Sequence, residues 1–76
     1  MTAVQVTNNI TDIMKLPCVS ECRKYKDEDG KTVFAFYLLN GLEANEGDWI
    51  IEADSEFFAW VASQGVYQLL KDKGEV

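Results

Sequence analysis

The residues with the clearest chemical potential are carboxylates in a part of the chain that has no positive charge. Residues 32–70 contain no Lys or Arg but six acidic side chains, namely Glu43, Glu46, Asp48, Glu52, Asp54 and Glu56. Two carboxylates can act as general acid and general base when a cleft pushes their pKa values apart. Asp48, Glu52 and Asp54 instead fall at even spacing, which places them on one face of a strand. We therefore expect a solvated row of acids rather than a catalytic pair.

The sequence also lacks the residues that other catalytic sites and metal-binding sites require. The chain has no His, two Cys and no glycine-rich phosphate loop before a helix. No nucleophile has a base beside it in the pattern that nucleophilic catalysis requires. The acidic turn at residues 27–30 lacks the spaced oxygen ligands and the distal Glu of a calcium loop. The sequence therefore predicts a protein that is not an enzyme and that uses no catalytic residue, metal or cofactor.

The cysteine pair predicts reduced thiols. In a strand, Cys18 and Cys22 share a face and lie about 13 Å apart, too far for a disulfide. Pro17 and Val19 disfavour the helix that would bring them together, and a zinc site needs about four ligands. The first residues also lack the basic start and apolar run of a signal peptide, and no segment has the roughly 18 apolar residues of a membrane span. We therefore expect a cytoplasmic protein.

The balance of charge indicates the kind of partner. Thirteen acidic residues against seven basic ones give a net charge of −6. Such a chain is repelled by bare nucleic acid and by anionic membranes, so we expect neither as a direct partner. We expect instead a protein partner with a basic surface, with one exposed Trp as its aromatic anchor. The predicted partner-binding residues are Glu43, Glu46, Asp48, Trp49, Glu52, Asp54, Glu56 and Trp60.

The elements that must position these residues follow from periodicity and turn chemistry. Residues 3–7 alternate as a short strand, and residues 9–16 form a helix with Asn9 as N-cap and Pro17 after its end. Residues 18–26 and 31–39 form a hairpin, because the turn between them ends in Asp29-Gly30. The second of these strands is apolar throughout residues 33–39, which predicts a central strand covered on both faces.

The second half of the chain reads as loop, two strands and a helix. Residues 43–47 form a polar loop, residues 48–54 a strand and residues 57–62 another strand. Ser63 caps a helix that runs through Lys73 and stops at Gly74, and its buried stripe is predicted to be Val66, Leu69 and Leu70. Residues 1–76 then form a single α+β domain of strand, helix, four strands and helix. We expect one five-stranded, mostly antiparallel sheet with two short helices packed on one face.

Several short motifs resemble a known group of proteins. The chain carries Gly47-Asp48-Trp49-Ile50-Ile51, then Glu56-Phe57-Phe58 and Val66-Tyr67, after an N-terminal Ala3-Val4-Gln5. This order is similar to that of small uncharacterised tailed-phage and prophage proteins. The chain departs from their pattern at Ser55, where Gly is usual, and lacks the usual Pro at the start of the last helix. The resemblance implies a phage origin and a bacterial host cell, but it brings no function.

Three functions fit this sequence. The first is a small inhibitor that mimics nucleic acid and contacts a host or defence complex, as anti-CRISPR and host-takeover proteins do. The second is a homo-oligomer that sequesters a nucleotide signal, for which the anionic ligand would need Arg23, Lys24, Lys26 and Lys31. The third is a structural or housekeeping phage protein. A homo-oligomer is open in any case, because so small a core often gains from an interface.

Overall fold

Two antiparallel sheets of three strands form the framework of a computed structural model that describes residues 2–52 and 59–75. Sheet A has the strand order β1-β5-β6 and sheet B the order β2-β3-β4. The elements are β1 Thr2–Gln5, α1 Ile10–Met14, β2 Val19–Lys26, β3 Thr32–Leu38, β4 Glu43–Asn45, β5 Trp49–Glu52, β6 Ala59–Ala62 and α2 Gln64–Asp72. The α+β class is therefore confirmed.

The prediction of one five-stranded sheet is wrong, because residues 43–47 are not simply a loop. Residues 43–45 form β4, which pairs with β3 and buries Ala44 completely. A tight turn follows, in which Gly47 has a φ of 92°. This turn directs β5 away from β3 and onto β1, so that the strands divide into two sheets. A three-residue strand is too short to show the alternation by which strands are recognised.

The predicted hairpin is confirmed. β2 and β3 pair with Cys22 opposite Phe36, and β3 lies in the centre of sheet B. The turn between them forms as its chemistry predicts, because the Asp27 carboxylate accepts hydrogen bonds from the main-chain N–H groups of Asp29 and Lys31 at 3.0 and 2.9 Å. Gly30 supplies the positive φ, at 77°.

The core lies between the inner faces of the two sheets and α1. Phe36 is its largest fully buried side chain, and both sheets contribute to the cluster around it. The buried members are Val6, Ile13, Cys18, Phe36, Leu38, Ala44, Ile50 and Ala59. This sharing means that neither sheet buries its apolar face without the other.

Helix α1 buries Ile13 and begins directly after Asn9, the predicted N-cap. The main-chain carbonyl of Asn9 accepts from the N–H of Ile13 at 3.1 Å, but its side chain makes no capping hydrogen bond to the helix. Its side-chain oxygen accepts instead from the N–H and hydroxyl of Thr7, at 3.0 and 2.9 Å, and its amide donates to the carbonyl of Gln5. The predicted N-cap position is therefore confirmed, but the Asn9 side chain closes the turn that precedes the helix rather than capping the helix itself.

Helix α2 has the predicted ends but not the predicted buried stripe. The Ser63 hydroxyl accepts from the N–H of Val66, and the Glu75 N–H donates to the Leu70 carbonyl at 2.9 Å beyond a left-handed Gly74. These contacts are an N-cap and a Schellman C-cap. None of the nine residues of α2 is buried, and Val66 and Leu69 are 49% and 61% exposed. Among the residues that the structure describes, no helix has the length and apolarity to cross a membrane.

Candidate functional site

Both tryptophans lie on the outer face of sheet A. The register pairs Trp49 with Ala62 and Ile51 with Trp60, so alternation places Trp49, Ile51 and Trp60 on one face. Ile50 points the other way, into the core. Both indoles are half-buried, so the prediction that one is partly exposed holds for each of them.

Trp49 is engaged by helix α2. The Tyr67 ring stacks on it at 3.7 Å between centroids and 9° between planes. The indole N–H donates to the side-chain oxygen of Gln64 at 2.7 Å, and the same oxygen accepts from the Gln5 amide at 3.0 Å. Trp49 therefore holds the first two turns of α2 on sheet A. Sequence reasoning missed this role of Tyr67, although it lies one residue from the predicted stripe.

The acidic residues do not form one strand face. Glu43 is exposed on β4 and Glu46 is exposed in the turn after it. The Asp48 carboxylate accepts from the N–H of Asn45 at 2.9 Å and so closes that turn. Glu52 is half-buried on the inner face of sheet A, while Asp54 and Glu56 lie outside the described residues. The predicted solvated row is wrong for Glu52, because β5 is the central strand of its sheet and is covered on both faces, and for Asp48, because Asp48 lies in the turn before β5 rather than on the strand.

Glu52 lies against the thiol of Cys18. Burial raises the pKa of this thiol to about 12, and a hydrogen bond to the Glu52 carboxylate and the charge of that carboxylate add to the increase. One oxygen of Glu52 is buried and has no hydrogen-bond partner among the described residues. Burial also raises the pKa of Cys22. Both cysteines are free, as predicted, and thiols held neutral in this way are poor nucleophiles and poor metal ligands.

The outer face of sheet B carries a row of polar and aromatic side chains. Tyr37 on β3 is paired with Glu21 on one side and Glu43 on the other. The Arg23 guanidinium lies 5.0 Å from the centre of the Tyr37 ring, and one of its nitrogens is 3.2 Å from the Glu21 carboxylate. The arrangement holds a cation on an aromatic ring beside a carboxylate.

A neighbouring contact fixes the edge of this row. The Tyr25 hydroxyl and the side-chain oxygen of Asn45 lie 3.2 Å apart, so that the hydroxyl donates across β3 from β2 to β4. Sequence reasoning missed Tyr37 and Tyr25 because residues 33–39 read as a strand covered on both faces. The hairpin register together with a third strand at residues 43–45 would have placed Tyr37 between two Glu residues.

The basic residues of the hairpin are exposed to solvent. Arg23, Lys24 and Lys26 are exposed on β2, an edge strand, and Lys31 is exposed in the turn. No group of three or more potential metal ligands occurs within residues 2–52 and 59–75.

Comparison of the chain with models of protein families, with curated proteins and with solved structures finds no match. The functional proposal therefore depends on three described regions: the contact between Trp49 and α2, the acidic residues of β4 and the turn after it, and the outer face of sheet B.

Proposed function

We propose that this chain is a small acidic phage protein that binds a basic protein surface and thereby inhibits a nucleic-acid-handling complex in the cytoplasm of a bacterial host. The observation that carries the proposal is the exposed pair Glu43 and Glu46. Neither forms an ion pair within the described parts of the chain, and the chain has a net charge of −6. Such carboxylates attract a basic partner over several ångströms and accelerate association.

The segment that carries these carboxylates, β4 and the turn after it, is held in place by two contacts. Ala44, between them, is fully buried under β3, and Asp48 closes the turn by its hydrogen bond to Asn45. A fixed geometry lowers the entropy cost of binding, because fewer side-chain and loop conformations are lost. This supports a recognition surface that imitates spaced phosphates rather than a flexible acidic tail.

Apolar side chains lie next to the acidic pair in the chain. Leu39 and Leu42, in the turn between β3 and β4, are 62% and 42% exposed. Leu42 directly precedes Glu43, so a partner that contacts the carboxylates also meets an apolar surface. Buried apolar contacts supply affinity that exposed ion pairs alone do not. We propose these leucines as anchors together with Trp60, because Trp49 already packs against Tyr67.

The test uses a bacterial strain that carries a nucleic-acid-targeting defence system such as a CRISPR effector complex. The chain is expressed, and the plating efficiency of a targeted phage and the growth of the host are measured. The double variant Glu43→Lys/Glu46→Lys should lose the effect. The matched control Glu28→Lys/Glu75→Lys changes the net charge by the same amount at exposed positions elsewhere, and it should keep the effect on plating and growth.

Two results would contradict the proposal. One is a wild-type chain that neither restores plating nor slows host growth, which would leave the structural or housekeeping role. The other is an equal loss in both double variants, which would show that total charge rather than the β4 surface is responsible. The signal-sequestering alternative has no supporting observation, because three of the basic residues that it needs lie exposed along one edge strand and the fourth, Lys31, lies exposed in the turn after it.

A further inference from the structure

We propose that the outer face of sheet B binds an arginine side chain of the partner between the Tyr37 ring and the Glu43 carboxylate, and that Arg23 of the chain itself competes for this ring. The inference rests on the proposed function and adds to it the residue type that the partner contributes. It also assigns binding roles to Tyr37, Glu21 and Arg23.

The geometry begins with the cross-strand row. Glu21, Tyr37 and Glu43 are direct partners on three adjacent strands, so their side chains emerge on the same face. Directly opposed residues in antiparallel strands have Cβ atoms about 4.5–5.5 Å apart. One aromatic ring is therefore flanked on both sides by a carboxylate, a setting that attracts cations and repels phosphates.

One half of this row already holds a guanidinium. Arg23 lies 5.0 Å from the centre of the Tyr37 ring and 3.2 Å from the Glu21 carboxylate. A planar guanidinium can stack on a ring and bond a carboxylate at the same time, which an ammonium group does less well. The Arg23 and Glu21 side chains are 64% and 50% exposed, so their pairing is weak enough to be displaced.

On the other side of Tyr37, the same ring lies beside a second carboxylate, that of Glu43, which pairs with no cation among the described residues. Glu43 is exposed and forms no ion pair within residues 2–52 and 59–75. Tyr37 is half-buried on the central strand, which restricts its ring, and the Tyr25–Asn45 hydrogen bond bounds the site along the strands. A guanidinium from a partner would therefore find a ring and a carboxylate in fixed positions.

The test is a calorimetric titration of the full chain at low salt, carried out once with a hexa-arginine peptide and once with a hexa-lysine peptide. Hexa-arginine should bind more tightly than hexa-lysine. Tyr37→Leu and Glu43→Gln should each weaken hexa-arginine binding by about two- to fivefold, the usual size of an exposed cation–π contact for the first and of an exposed ion pair for the second. Arg23→Ala should strengthen binding, because it frees the ring.

The decisive comparison is between Arg23→Ala and Lys24→Ala. Both remove one positive charge from exposed positions of β2, but only Arg23 covers the ring. If binding tightens more in Arg23→Ala, the internal competitor is demonstrated. If the two variants tighten equally, or if the two peptides bind equally well, the inference is wrong and the attraction is general. Neither of these substitutions touches the core, so the result does not depend on the stability of Tyr37→Leu.

Failure of this inference can be told apart from failure of the proposed function. Specific hexa-arginine binding together with unchanged plating in Glu43→Lys/Glu46→Lys would contradict the function and leave the arginine site in place. Plating that depends on Glu43 and Glu46, with no selectivity for hexa-arginine over hexa-lysine, would contradict the arginine site and leave the proposed function in place.

Discussion

The two sheets use their outward-facing aromatic side chains in opposite ways. On sheet A, Trp49 is covered by the Tyr67 ring, and its N–H is satisfied by Gln64. On sheet B, the half-buried Tyr37 ring faces an exposed Arg23, whose guanidinium lies 5.0 Å from the ring centre. The first arrangement attaches a helix, whereas the second leaves a cation site partly open to solvent. Residue type alone points to either tryptophan as the anchor, but the contacts of Trp49 with Tyr67 and Gln64 already occupy that indole.

The difference also shows where the free energy of folding arises. Sheet A and sheet B share one buried cluster around Phe36, and their outer faces add smaller contributions. Helix α2 buries none of its residues and depends on a stack and two hydrogen bonds to Gln64. Changes in the shared core should therefore affect both sheets, while changes on an outer face should affect one.

The largest effect is expected for Phe36→Ala. Deletion of a fully buried Phe side chain costs about 3–5 kcal/mol, which is most of the stability of a small domain. The matched control is Phe34→Ala on the same strand, where the side chain is only partly buried and the loss should be smaller. Denaturant unfolding measures both. A folded Phe36→Ala protein of near wild-type stability would show that the sheets do not share this core.

High pH should weaken the contact between the sheets at Cys18. Its pKa is raised to about 12 by burial and then by Glu52, so the folded state disfavours the thiolate. The thiol of an unfolded chain titrates at about pH 8.5. This contribution to stability is complete below that pH and is lost as the pH rises towards 12, at up to about 1.4 kcal/mol per pH unit.

The measurement compares unfolding of the wild type and Cys18→Ala between pH 8 and pH 11. Because Lys and Tyr also titrate at high pH, only the difference between the two proteins reports on the thiol. The wild type should lose stability more steeply than Cys18→Ala. Parallel curves would mean that Cys18 ionises without a penalty and is not held as the structure places it.

Much of the fold could be predicted where local chemistry is strong. The hairpin follows from Asp29-Gly30, and both ends of α2 follow from Ser63 and Gly74. The division into two sheets could not be predicted, because β4 has three residues and its role depends on the turn at Gly47. Local patterns do not specify which distant strand a segment joins.

The candidate site was predicted only in part. Glu43 and Glu46 are exposed, as an acidic binding surface requires, whereas Glu52 faces inward beside Cys18. The sequence shows how many carboxylates a segment has, but their directions depend on which strand is central. Tyr37 was overlooked for the same reason, since its flanking acids come from β2 and β4.

The smallest of these effects, and the one that separates the two outer faces, is expected for Tyr67→Ala. Loss of the stack on Trp49 should cost about 1–2 kcal/mol, the worth of an aromatic pair and part of its buried area. Leu69→Ala is the matched control on the same helix, because its side chain is 61% exposed and its loss should change stability by no more than about 0.5 kcal/mol. Amide hydrogen exchange should show faster opening of α2 in Tyr67→Ala, while exchange in β2 and β3 stays unchanged. Equal effects of the two substitutions would mean that the whole apolar stripe, rather than the single ring stack, attaches α2. Leu69 would then also contribute to the attachment of α2 to the outer face of sheet A, although its side chain is mostly exposed in this structure.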